Sequence, residues 1–333
     1  MMKNGTIAGV SAVQPVFAGG QIINGNKLAK VGEDVSRLQL QLSEQEVEKQ
    51  TEQYYWQLLS LQEKIKTIET VQTLLNDIYK DVDVAMRAGL ALRNDLLQVQ
   101  LRQNDVESQK IKVLNGISIL RLLLAQYCGL NNSEFRIESI EDIDGTLLQV
   151  IKPDYNQALL GIAEYQLLNK QVQGTNLQYK MEIRKNLPMV GVGAGYNYHN
   201  LFDNNHTFGM VFATVSVPIS GWWGGSHAIK RKKIEHEKAT EQLADHSKLL
   251  KIRMQKAWND VEEFRQQLQI AQHSIEQTEE NLRLNRDFYK AGTSKMSDLL
   301  EAQLLYQQSQ DRRTDAFADY HNKLLEFRQA TGQ

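Results

Sequence analysis

Tyr-Lys-Ala-Gly-Thr-Ser-Lys-Met-Ser-Asp-Leu-Leu, at residues 289–300, decides the fold because an earlier stretch repeats its pattern. Residues 86–97 read Met-Arg-Ala-Gly-Leu-Ala-Leu-Arg-Asn-Asp-Leu-Leu, so Ala-Gly and Asp-Leu-Leu both return after 203 residues. Further upstream, Val13-Gln14-Pro15-Val16 returns at the same offset as Ser216-Val217-Pro218-Ile219. One offset kept without gaps over roughly 115 residues indicates an internal duplication, which has to be recognised before any other feature is interpreted.

Each copy is predicted to contain a very long helical hairpin. Apolar residues upstream of both Ala-Gly pairs step by four and three, which is typical of a heptad seam. At 1.5 Å per residue, a helix of about 65 residues is about 100 Å long. We expect Asn94 and Ser297 to cap the returning helices, which end near Tyr127 and Ala330. The predicted seam members are Leu61, Ile65, Ile68, Gln72, Leu75, Tyr79 and Val82 in the first copy, and Leu250, Met254, Ala257, Val261, Phe264, Leu268, Ala271, Ile275, Thr278 and Leu282 in the second.

Two stretches ahead of the second hairpin alternate with the period of a β-strand. Met189 to His199 carries apolar residues on one face and glycine or asparagine on the other, and Thr207 to Val217 follows after a polar loop. Thr6 to Gln14 is the counterpart of the second strand in the first copy. Strands of near 11 residues suit a tilted crossing of a bilayer. The alternative is a two-stranded ribbon packed on a soluble helical body.

Proline and glycine mark the predicted joints between strand and helix. The first joint holds Pro15 with Gly19 and Gly20, and the second holds Pro218 with the run Gly221-Trp222-Trp223. Proline is expected to end the pairing of the ladder, and glycine permits a sharp turn. The two tryptophans suit a belt at a membrane interface, and burial in a core explains them equally well.

Both copies have the same order of features: strand, Pro-Gly joint, long helix, Ala-Gly tip and Asp-Leu-Leu. In this order and spacing they resemble the TolC family of outer-membrane efflux proteins. The resemblance covers nearly the whole chain. It implies a mainly α fold with a small β part, in which long antiparallel coiled-coil hairpins form two structural repeats. It also implies a homotrimer whose transmembrane β-hairpin strands form a barrel only on trimerisation, above a periplasmic helical tunnel. Membrane barrels have at least eight strands, so several chains have to contribute.

The duplication also sets the expected boundaries. Residues 1–130 are predicted to be the first TolC-like repeat, lacking its first helices and strand, and residues 154–333 the second. Residues 131–153 are acidic and predicted to connect them with little regular structure. The offset places Met1 in an outer loop of the first hairpin, so that the partner of Thr6 to Gln14 is missing and one edge of a three-stranded sheet stays unpaired.

The resemblance assigns roles at the two tips. Asp298 and Glu301 match the pore-facing acids of the family, and Asp95 matches the aspartate of the other hairpin. A ring of carboxylates repeated around a threefold axis favours cations. The alternative is that Asp95 and Asp298 stabilise a helix N-terminus through the helix dipole. The residues expected at the tip contacts and in the lock of the closed state are Gly89, Asn94, Tyr289, Gly292, Thr293 and Ser294.

The function implied is an outer-membrane exit duct, a channel-tunnel, of a tripartite efflux or type I secretion system. Its expected partners are a periplasmic adaptor (membrane fusion) protein, an inner-membrane transporter and outer-membrane lipid. The net charge of -2 argues against a nucleic-acid partner. No catalytic motif and no cofactor are predicted. No metal site is predicted either, because the seven histidines lack ligand spacing and His199 and His206 merely flank one loop. The alternative function is a soluble structural coiled-coil assembly protein without channel activity.

Overall fold

The computed structural model describes residues 6–131, 134–135, 137, 150–201, 204–218 and 221–333, with the side chains of 201, 204 and 221–224 outside that description. It has the predicted composition, mainly helical with one small antiparallel sheet. Most of the predicted acidic connection lies outside the described residues. The elements are β1 (Thr6–Ala18), α1 (Gln21–Arg87), α2 (Arg93–Tyr127), α3 (Tyr155–Gly161), α4 (Ala163–Arg184), β2 (Met189–Leu201), β3 (Asn204–Ser216), α5 (Gly221–Lys290) and α6 (Met296–Thr331).

The sheet has the order β1-β2-β3 with both pairs antiparallel. Ala194 of β2 lies opposite Ala12 of β1 and opposite Val211 of β3. The expectation that Thr6 to Gln14 lacks a partner is therefore wrong, since this strand pairs with β2 from a distant part of the chain. The physical reason is that β3 occupies only one edge of β2, and the other edge offers a complete row of backbone donors and acceptors.

Pro15 does not end the ladder, contrary to the prediction. It lies opposite Gly191 inside β1, and pairing resumes at Phe17 after a shift of register and continues to Ala18. Proline is tolerated here because β1 is an edge strand, where a missing N–H leaves no partner unsatisfied, and because an irregularity follows directly.

The turn from β1 into α1 is made by Gly19 and Gly20 alone. Both have positive φ angles, 60° and 80°. A Cβ atom on Gly19 would lie 2.6 Å from the carbonyl oxygen of Arg184, so both the backbone conformation and the space require glycine. At the second joint Pro218 precedes α5, whereas Gly221, Trp222 and Trp223 already belong to the helix. The side chains of both tryptophans lie outside the described residues, so their predicted role at a membrane interface stays a prediction.

The heptad seams are confirmed, because every predicted member is buried or half-buried. The first seam is wider than predicted, since Val71 and Ile78 are buried as well. The helix ends repeat with the sequence: Arg87 and Lys290 end α1 and α5, 203 residues apart, and Arg93 and Met296 begin α2 and α6 with the same separation. None of the described helices carries an apolar stretch that would let it cross a membrane.

The chain divides into two compact units. The first contains residues 6–42 and 160–250, hence the sheet and α4, and Lys170 and Asp34 form an ion pair at 2.7 Å within it. The second contains residues 43–159 and 251–333, hence the two hairpin turns. Its core is a series of apolar clusters in which Leu58, Val71 and Phe327 are fully buried.

Candidate functional site at the helical tips

Both long helices end in the same left-handed turn. The N–H of Thr293 donates to the carbonyl of Phe288 at 2.9 Å, and that of Gly292 donates to Tyr289 at 3.0 Å. The same pair of bonds closes α1 at Gly89, and both glycines have φ angles near 70°. This Schellman arrangement satisfies carbonyls at a helix end and needs a residue without a Cβ atom at the left-handed position. The chain thereby turns sharply at both tips.

Asp95 and Asp298 close the start of the returning helices. The carboxylate of Asp95 accepts the backbone N–H of Leu92 at 3.2 Å, and that of Asp298 accepts the N–H of Lys295 at 3.2 Å. An acid three residues into a helix that bonds back to the cap residue forms half of a capping box. The structural role considered in the sequence analysis is thus present at both positions.

Asn94 and Ser297 are not the caps, contrary to the prediction. The helices begin at Arg93 and Met296, so Asn94 and Ser297 lie inside the first turn. The cap positions are held by residues without a capping side chain. The aspartate three positions after each cap accepts the N–H of the cap residue, which is the other half of a capping box.

The acids differ in exposure. Asp298 and Glu301 are both exposed on α6, three residues apart and therefore on one helix face. Asp95 is half-buried on α2, and Gln98 holds the place that Glu301 has in the other repeat. Both acids of the pair are therefore open to solvent, and at these matched positions the second hairpin has two acids where the first has one.

The two tips pack on each other through an apolar cluster, and Tyr289 is half-buried against it. Burial raises the pKa of the Tyr289 hydroxyl, and the nearby carboxylate of Asp95 adds to that shift. Tyr289 of one hairpin therefore lies close to Asp95 of the other. The buried members of the cluster are Ile78, Val82, Val99, Met296 and Leu299.

A cavity of about 960 Å³ lies between the tips. Some of the residues predicted for the tip contacts and the constriction line it. The Ser294 hydroxyl oxygen is buried without a hydrogen-bond partner in the described part of the chain. Gly89, Thr293, Asp298 and Glu301 lie outside the lining. The predicted site residues that do line it are Asn94, Asp95, Tyr289, Gly292 and Ser294.

The sequence model of a family described as outer membrane efflux protein matches residues 155–333, more than half of the chain. The chain belongs to the outer membrane efflux protein family. No curated protein matches it in sequence.

Solved structures show the same fold. The chain is similar to the outer membrane protein VceC from Vibrio cholerae, with a TM-score of 0.81 and 13% identity over 99% of this chain and 87% of that one. It is similar to the CmeC outer membrane channel of Campylobacter jejuni, with a TM-score of 0.81 and 13% identity over 99% and 78%. A CusC structure gives a TM-score of 0.87 and 12% identity over 99% and 82%. At these identities the likeness establishes the architecture of this efflux protein.

This efflux protein has a buried polar layer that the sequence did not predict. Arg102 of α2 donates from Nε to Gln303 Oε1 at 2.8 Å and from Nη2 to Gln307 Oε1 at 2.7 Å, and Gln307 Nε2 donates to Gln109 Oε1 at 2.7 Å. Both glutamines of α6 are fully buried, and burial lowers the pKa of the Arg102 guanidinium, opposed by Asp105. One signal was available, since Gln303 and Gln307 continue by steps of four from the buried Leu299.

His321 should make the stability of this efflux protein fall on mild acidification. Burial among Trp56 and Phe317 depresses its pKa from 6.5 to about 4, and the charge of Arg328 acts in the same direction. Between these values the unfolded chain binds a proton that the folded chain does not. Stability is therefore full above pH 6.5 and is lost as the pH falls towards 4, by about 2 kcal/mol.

Thermal unfolding of the parent and of His321→Gln at pH 7 and pH 4.5 tests this. The variant should lose less stability between the two pH values than the parent does. Burial raises the pKa of Asp311 and Asp319, so these two acids make stability increase as the pH falls. Both proteins contain them, so their contribution cancels when the two proteins are compared. The exposed His273→Gln is the matched control and should keep the parent profile. Equal pH dependence of His321→Gln and the parent would contradict the prediction.

Proposed function

We propose that this chain is one protomer of a trimeric outer-membrane exit duct in a tripartite efflux or type I secretion system. The observation that carries the proposal is the match to the outer membrane efflux protein family. The chain also has the two-hairpin fold of known outer-membrane channels. Passage through a duct needs a lined pore and no catalytic group, so we propose no enzymatic activity and no cofactor.

The sheet has one face that suits lipid. Val10 and Val211 lie on this face and are 80% and 87% exposed, and Val192, Val215 and Tyr196 on the same face are exposed too. On the opposite face the glycines of β2 are covered: the ring of Phe212 lies where a Cβ atom of Gly193 would be. An exposed aliphatic face is stable in hydrocarbon and costly in water, which supports contact with the outer-membrane lipid.

The edges of the sheet support assembly. No described strand pairs with the outer edge of β1 or of β3. Unpaired edges are costly in a bilayer, where no water satisfies the backbone, and three strands are too few to close on themselves. We propose that copies of the chain close the sheet by pairing edge to edge. Threefold closure is what the family resemblance implies, and it repeats each tip around one axis.

The tips supply the proposed constriction. Repeated three times, Asp298 and Glu301 form an acidic ring, and Asp95 contributes a weaker one. We propose that Tyr289 and Asn94, held by the turns at Gly89, Gly292, Thr293 and Ser294, stabilise the closed state. The surface around the tips is proposed to meet a periplasmic adaptor protein, which joins the duct to an inner-membrane transporter.

We further propose that residues 1–130 and 154–333 are two repeats joined by residues 131–153. The coincidence of helix ends at one offset supports this division, and the family match begins at residue 155, close to the proposed boundary. In this arrangement Pro15, Gly19 and Gly20 mark the joint of the first repeat, and Pro218 with Gly221-Trp222-Trp223 marks that of the second.

Reconstitution of the purified chain tests the function against its alternative. In detergent, light scattering and chemical cross-linking should give a trimer, and planar bilayers should show stepwise conductance. A soluble coiled-coil assembly protein would instead remain dispersed without detergent and give no conductance. That second set of results would reject the exit-duct proposal.

A further inference from the structure

Two histidines face each other across the β2–β3 hairpin. His199 of β2 is the direct register partner of His206 of β3, so both side chains project from the same face of the sheet. Their ring centroids are 5.5 Å apart with the planes inclined by 39°. This face is the one that carries the glycines of β2 and Phe208, opposite the aliphatic face. The arrangement therefore brings two imidazoles together on the glycine-bearing side of the sheet.

One imidazole nitrogen has no hydrogen-bond partner among the residues that the structure describes. The Nδ1 atom of His199 is buried and has no hydrogen bond to any described residue. Buried polar atoms almost always have a partner, so an isolated one points to a bound water or ion. The ring of Phe208, with its centroid 6.1 Å from that of His199, is the neighbouring ring on this face and supplies no polar atom. The unpartnered nitrogen thus belongs to a ring whose centroid lies 5.5 Å from that of a second imidazole.

We propose that His199 and His206 chelate a divalent transition-metal ion, with water in the remaining coordination positions. Directly opposed residues on antiparallel strands have Cβ atoms about 4.5–5.5 Å apart, which lets both rings place a nitrogen about 2.0–2.1 Å from one ion. Imidazole suits Cu²⁺, Ni²⁺ and Zn²⁺, whereas Ca²⁺ and Mg²⁺ require oxygen ligands. Among these ions, Cu²⁺ binds a given nitrogen site most tightly, and it is the probe of choice.

The sequence does not reveal this pair, because residues seven apart lie about 10.5 Å apart along a helix, too far to share one ion, and point to opposite faces of a single strand. The hairpin register gives the spacing its meaning: pairing of Asn200 with Asn205 at the loop end places His199 opposite His206. A shift by one residue would send the second imidazole to the other face of the sheet. The proposed site consequently depends on register, which makes it testable with variants of unchanged composition.

The test uses the full chain in detergent, stripped of metal with chelator and carrying Cys128→Ser, because the exposed thiol of Cys128 is itself a metal ligand. Titration with CuCl₂ should show one tight site per chain, and electron paramagnetic resonance should show hyperfine coupling to two imidazole nitrogens. Acidification should release the metal, since the ligands must be deprotonated.

Three variants decide the proposal. His199→Asn with His206→Asn should abolish the tight site, and His206→Asn alone should weaken Cu²⁺ binding at least about tenfold, in line with losses at perturbed metal sites. Exchanging neighbours by His206→Thr with Thr207→His keeps the composition and should also abolish it. His246→Asn, on the exposed surface of α5, should bind as the parent does.

Unchanged tight binding in the double variant or in the exchanged variant would overturn the proposal. So would a spectrum of the parent without nitrogen coupling. Far-ultraviolet circular dichroism of each variant establishes that it is folded. If the exchanged variant fails to fold, the single His206→Asn variant decides the outcome by itself, because it leaves the register and the apolar face of the hairpin intact.

Discussion

Neutralising the acids at the second tip, by Asp298→Asn with Glu301→Gln, is expected to weaken block of the conducting duct by divalent cations about tenfold or more. The reason is local: in the proposed constriction, these carboxylates repeat around a narrow and poorly screened passage and hold cations by charge. Preference for cations over anions should fall together with the block. Single-channel recordings in planar bilayers with increasing divalent cation give both quantities.

The amide variants separate charge from helix capping. Asparagine at 298 keeps an oxygen that can accept the N–H of Lys295, so the start of α6 should persist and the melting curve should stay close to that of the parent. Asp95→Asn is the matched single change and should act in the same direction but less, because Gln98 replaces the second acid in that repeat. Unaltered block and selectivity would exclude these residues from the proposed constriction, whatever the melting temperature.

Removal of the guanidinium at the buried layer, by Arg102→Ala, is expected to destabilise the second unit by about 2–4 kcal/mol. The change deletes two hydrogen bonds of 2.8 and 2.7 Å and leaves the side-chain oxygens of Gln303 and Gln307 without the donor that they now have. Both glutamines are fully buried, so water cannot replace the donor without opening the packing between α2 and α6. Thermal or denaturant unfolding in detergent measures the loss.

The adjacent residue on α2 provides the control. Gln103 donates to Asn76 at 2.8 Å on the exposed surface, and Gln103→Ala should cost less than about 0.5 kcal/mol, as is usual for exposed positions. A small and equal effect of both variants would show that the buried layer contributes nothing to the pairing of the hairpins. Arg102→Lys should recover little, because a point charge cannot reach both oxygens as the planar guanidinium does.

Much of the helical architecture was predictable because its causes are local. The seams of α1 and α5 repeat every seven residues, and Gly89 and Gly292 stand where a helix end needs a positive φ angle. The misplaced caps show the limit of this reasoning. Asn94 and Ser297 have the side chains of cap residues, but Asp95 and Asp298 are placed so that their carboxylates reach back to the cap N–H, and that bond fixes the helix start.

The candidate site was predictable only in part. The acids and glycines of the tips follow from repetition along the chain, because each copy marks the positions of the other. Arg102 and its glutamines follow from no such rule, since their partners lie about 200 residues away on another helix. Sequence periodicity indicates that a residue faces a neighbouring helix, and it does not indicate which side chain it meets there.

The sequence by itself determined the duplicated hairpins, the sharp turns at their tips and the alternating strands, because these depend on residues within a few positions of one another. Tertiary structure alone decided that β1 pairs with β2, that Pro15 stays within the ladder, and that His199 meets His206. Strand pairing joins residues that are distant along the chain or separated by a loop, and its register is chosen by backbone hydrogen bonds and by the fit of both faces. That choice is made only when the strands are brought side by side.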